Sequence, residues 1–191
     1  MRRDVRMRFL SSLAVALAVS ILGCYSDDDP LGSGKSGDKT GKKDPPPPCH
    51  PGCFPTGTSI ATPDAPRPID AIRRGDVITL VHEDGTATSG RVDSTFQTCT
   101  GLVEVQTDLG RLLTTATQPL CLAAGGFRRA GELIQGDEIW RWEEGQRRPA
   151  RVQAVVPAEK DAAVFNLVVG ESAVFVAAGF LARGKPPADA E

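Results

Sequence analysis

A chain of 191 residues, 40% hydrophobic and 24% charged, has room for one domain of ordinary size with non-globular tails and excludes a second. Its 22 basic and 24 acidic side chains give a formal net charge of −2, which argues against nucleic acid as a partner.

The chain opens with Arg2, Arg3, Arg6 and Arg8 against a single Asp4, then runs uncharged and mostly apolar from Phe9 to Leu22. That is the pattern of a secretory signal, shorter than the ~20 residues of a membrane-spanning helix. The run ends in Ile21-Leu22-Gly23-Cys24, which resembles the lipobox of bacterial lipoproteins. The resemblance implies cleavage before Cys24 and lipid on its sulfur. The expected product is a monomer anchored at the bacterial cell envelope, periplasmic or surface-facing, whose one expected partner is the membrane. Loss of residues 1–23 removes four arginines and one aspartate, leaving a net charge of −5.

Residues 24–52 are expected to form a disordered tether, because Asp, Gly, Ser, Lys and Pro bury too little surface to offset ordering entropy. Pro45-Pro46-Pro47-Pro48 stiffens its end as polyproline II. Export implies an oxidising compartment, in which Cys49, Cys53, Cys99 and Cys121 form an even set with three possible disulfide pairings. The sequence leaves the pairing open. Cys49-His50-Pro51-Gly52-Cys53 is not a strong zinc pattern, so no metal or other cofactor is expected.

The domain follows. Its runs are short, rich in Val, Ile and Thr, and closed by glycine turns: Asp76 to Val81 before Asp84-Gly85, Leu102 to Thr107 before Asp108-Leu109-Gly110, Glu138 to Trp142 before Glu143-Glu144-Gly145. These are hairpin signals, and no window carries a helical period, so the fold class is all-β. A weak repeat runs through it. Ile72-Arg73-Arg74-Gly75-Asp76-Val77-Ile78 is echoed 61 residues later by Leu133-Ile134-Gln135-Gly136-Asp137-Glu138-Ile139, with further echoes at 60 or 61 residues. Two units of this length predict two similar β halves related by a pseudo-two-fold, rather than a solenoid.

Cys53-Phe54-Pro55-Thr56-Gly57-Thr58-Ser59-Ile60, followed by Pro68 to Ile72 and Gly75-Asp76-Val77, resembles the first block of the Hint (Hedgehog/intein) family. Leu113-Thr114-Thr115-Ala116-Thr117-Gln118-Pro119-Leu120 is similar to the second block, and the stretch from Val164 to Leu181 to the last. The resemblance implies a horseshoe of β-strands over residues 53–184, with 185–191 a disordered tail too short for a sterol-recognition region or a cargo. It implies that the Cys53 thiol attacks the Gly52 carbonyl, giving a thioester by an N-to-S acyl shift. By the same resemblance Thr115 holds the scissile peptide.

The chain departs from the family where a proton donor is needed. The family's second-block histidine is replaced by Gln118, which has no proton to give near neutral pH. The last block has Ala173 in place of a histidine and ends in Arg183-Gly184 where splicing members have His-Asn, with Lys185 following. Splicing is therefore not expected. His50 is read as a solvated tether residue and His82 as surface at a hairpin tip. Two functions remain: attenuated self-cleavage at Gly52-Cys53, or an inactive β module with a structural or interaction role in the cell envelope.

Overall fold

A computed structural model describes residues 52–171 and 173–186. The signal, Cys24, the tether through Pro51, Ser172 and residues 187–191 lie outside the described residues.

The described residues are almost all β, in two antiparallel sheets. In the three-stranded sheet, Ala162–Val168 lies between Ser94–Thr100 and the two-residue strand Phe54–Pro55. Phe54 is opposite Phe165 and Pro55 opposite Val164, so the chain entering at Cys53 runs alongside Asn166. The other sheet has twelve strands. Its hairpins turn where glycine supplies a positive φ: Gly85 at 87°, Gly110 at 133° and Gly145 at 77°.

The sequence repeat is visible in the hydrogen bonds. The 3-10 turn Ile69–Ala71 leads into Gly75 at φ 90°, and the 3-10 turn Ala130–Glu132 leads into Gly136 at φ 95°. Gly75 N–H donates to the Val92 carbonyl at 2.8 Å; Gly136 N–H donates to Val152 at 2.9 Å. Asp76 caps the Arg73 N–H and Asp137 caps the Ile134 N–H, both at 2.9 Å. The two halves therefore use the same corner, each followed by a long hairpin.

The halves share one core of Phe54, Ile60, Ile78, Leu120, Ile139, Phe175 and Phe180 with their neighbours. Phe54 meets Phe175 edge-on, ring centroids 6.0 Å apart, and both are fully buried. This contact fixes the residue directly after Cys53. Phe175→Ala is expected to destabilise the domain by about 3–5 kcal/mol, measured by denaturant unfolding.

Candidate functional site

Cys53 enters the domain clamped by the strand end at Thr114 and Thr115. Its N–H donates to Thr115 Oγ1 at 2.8 Å. Its carbonyl accepts from Thr114 Oγ1 at 2.8 Å and from the Thr115 N–H at 2.9 Å. Thr115 therefore holds the Cys53 nitrogen directly, and Thr114 adds a hold on Cys53 that the sequence reading did not assign.

Gln118 lies one turn further on, its N–H donating to the Thr115 carbonyl at 3.1 Å. A Cβ added at Gly52 would overlap the Gln118 backbone, so only glycine permits this approach. The Gln118 side chain is fully buried, and its amide nitrogen donates to the Pro119 carbonyl at 3.0 Å and to the Arg183 carbonyl at 2.9 Å. Both N–H bonds are thus committed to backbone oxygens. Gln118 is beside the Gly52-Cys53 bond, yet it braces Arg183 rather than aiming a proton at Cys53 N.

The sequence reading missed Asn166. Its amide nitrogen donates to the Gly52 carbonyl oxygen, the atom that becomes the oxyanion when a thiol attacks, and also reaches Gln118 Oε1 at 3.3 Å. The orientation is fixed from behind, because Asn166 Oδ1 accepts the Leu167 N–H at 2.6 Å. A signal was available: Ala162, Val164 and Asn166 alternate inward along one strand, and Asn166 is the polar member, 1% exposed.

The Cys53 thiol is buried, and desolvation pushes its pKa up to about 11 against a smaller opposing pull from Lys185. At pH 7 roughly one thiol in 10⁴ is then the attacking thiolate. Lys185 sits nearby with its ammonium 3.9 Å from the Phe96 ring centroid, and its N–H donates to the Leu167 carbonyl at 3.0 Å. Cys121 is a second buried thiol, on Pro119–Cys121. Cys99, exposed on Ser94–Thr100, is disulfide-bonded, as the reading of the cysteines as an exported set allowed. His82 is exposed, with Nε2 2.8 Å from Thr88 Oγ1. Cys24 and His50 lie outside the described residues.

The arrangement therefore brings together the Cys53 thiol, the Gly52 carbonyl held by Asn166 and the Cys53 nitrogen held by Thr115, with no titratable group at Gln118.

No protein-family model matches the chain, and no curated protein matches it in sequence. Solved structures do. The Ssp DnaB mini-intein variant M86 is similar at 19% identity and TM-score 0.65, over 72% of this chain and 96% of that one. The DnaB intein from Synechocystis sp. PCC 6803 matches at 18% identity and TM-score 0.64, over 70% of this chain and 99% of its own. A bacterial intein-like domain from Clostridium thermocellum matches at 21% and TM-score 0.61, over 70% and 98%. The fold is that of the inteins, the Hint-type horseshoe of β-strands.

Proposed function

We propose that this Hint-fold domain performs slow, single-turnover self-cleavage at Gly52-Cys53, freeing the domain from a tether anchored through lipid on Cys24. The observation that supports it best is the Asn166 amide bonded to the Gly52 carbonyl, a donor placed where charge develops. Cys53 Sγ loses its proton to solvent and bonds to the Gly52 carbonyl carbon; the C–N bond breaks, and Cys53 N takes a proton from water. A second water then hydrolyses the thioester, leaving a Gly52 carboxylate and restoring the thiol. Splicing is outside this reading, because Arg183-Gly184 offers no asparagine to cyclise and Lys185 no nucleophile.

The test follows intact mass of the chain from Cys24 onward, tagged at its N-terminus, with and without dithiothreitol. A fragment beginning at Cys53 is expected, faster with the thiol and absent in Cys53→Ala. Because the thiolate attacks, the rate should rise about tenfold per pH unit from 7 toward 11, where Cys53 titrates. The inactive-module reading is favoured by the commitment of the Gln118 amide to two carbonyls. Absence of the fragment even at high pH would establish that reading instead.

A further inference from the structure

Away from Cys53, a cavity of about 650 Å³ opens between the hairpin tip at His82 and Glu83 and the turn from Leu122 to Gly126. Its floor belongs to a separate apolar cluster that includes Val81, Cys121, Val176 and Leu181, with Trp140 and Val174 packed against it. The volume suits a small organic molecule.

Two guanidinium groups reach this cavity, each laid on an aromatic ring. Arg147 lies 4.9 Å from the Trp140 ring centroid, and Arg183 lies 5.1 Å from that of Phe127, itself 42% exposed. Among the described residues neither makes an ion pair, whereas Arg148, next in sequence, is bonded to Glu143 at 2.7 Å. The hairpin-tip Asp84 accepts from the Thr86 N–H and hydroxyl at 2.8 and 2.7 Å, and the charge of Arg147 is a lesser influence that also lowers its pKa. Glu83 lines the rim as the cavity's carboxylate. Cys121 lines the same cavity, and its thiol, raised to about 12 by burial, feels a smaller opposing pull from both Arg147 and Arg183.

We infer that this cavity binds a small amphipathic anion, its flat apolar body between Trp140 and Phe127 and its carboxylate, sulfonate or phosphate group on Arg147 and Arg183. Arginine suits this role because its plane stacks on a ring while its edge donates to an anion. The apolar floor supplies affinity and the two cations supply the sign of the ligand.

The inference is independent of self-cleavage and is tested on the Cys53→Ala chain from Cys24 onward, in which cleavage cannot intervene. Two fluorescent probes of similar shape are titrated: anionic 1-anilinonaphthalene-8-sulfonate and uncharged N-phenyl-1-naphthylamine. The sulfonate is expected to bind saturably at one site. Arg147→Met with Arg183→Met should weaken it roughly tenfold or more, while the uncharged probe changes less than about threefold. Retained binding of the uncharged probe also reports that the doubly substituted cavity is intact. Non-saturable sulfonate binding, or equal loss of both probes, would overturn the inference; so would a sulfonate affinity indifferent to both substitutions.

Discussion

Gln118→His is expected to accelerate cleavage at Gly52-Cys53 by ~10²- to 10⁴-fold, the range over which a positioned general acid contributes. In the proposed reaction, with excess dithiothreitol to capture the thioester, the slow step is expulsion of an amine from a tetrahedral centre with no positioned acid to protonate it. Thr115 Oγ1 accepts from the scissile N–H, and Thr117 Oγ1 lies 3.3 Å beyond it, but neither hydroxyl gives up a proton near pH 7. The Gln118 backbone packs against Gly52, and the prediction requires the imidazole to turn from the Pro119 and Arg183 carbonyls toward Cys53 N. The substitution releases the bonds to Pro119 and Arg183, and a histidine can retain one of them. The measurement is the first-order rate of appearance of the Cys53 fragment across pH. The variant should lose the monotonic alkaline rise and show a shoulder near the histidine pKa. An unchanged rate and profile would place the leaving-group proton elsewhere than Gln118.

Asn166→Ala should slow the same reaction by ~10²- to 10³-fold, as removal of one preorganised oxyanion donor does elsewhere. The effect is best read in the Gln118→His background, where the faster reaction leaves room to see a loss. Truncation leaves the Leu167 N–H without its side-chain acceptor and Gln118 Oε1 without its donor, each costing on the order of 1–3 kcal/mol. Asn166→Asp separates stability from chemistry: it keeps the acceptor for Leu167 but turns an oxygen toward the Gly52 carbonyl. If alanine slows cleavage and aspartate does not, the donor role is wrong and the residue acts by packing.

What the sequence displayed was local. Alternating β-branched runs and their Asp-Gly and Glu-Gly turns located the hairpins at Val77–Val81, Val103–Thr107 and Glu138–Glu143 to within one residue. The echo around Gly75 and Gly136 located the paired corners, because a glycine at positive φ and an aspartate cap leave marks in the residues themselves. What stayed hidden was long-range. Phe54–Pro55 is too short to carry a period, and its partner lies more than a hundred residues away. The twelve-residue strand Gln146–Pro157 pairs first with Glu138–Glu143 and then, from Val152 onward and across an irregularity between Val152 and Ala154, with Val103–Thr107. The site divides in the same way. Cys53, Thr115 and Gln118 were legible as a motif, whereas Asn166 acquires its role only when the strand carrying it is laid beside the entering chain.

The grip on Cys53 has a consequence for the direction of the reaction. After an acyl shift the liberated amine cannot swing aside, because Phe54 is sealed in the core and the Cys53 carbonyl is pinned from two sides. It stays poised over the thioester on its own side chain, at an effective concentration on the order of 10⁵ M or more. Since an amide is the more stable of the two, the interior works as a return spring that re-seals the broken link. In the proposed cleavage, separation of the two parts then needs both the opening of the bond and an outside nucleophile that arrives before it closes, and excess dithiothreitol makes the opening the slower of the two.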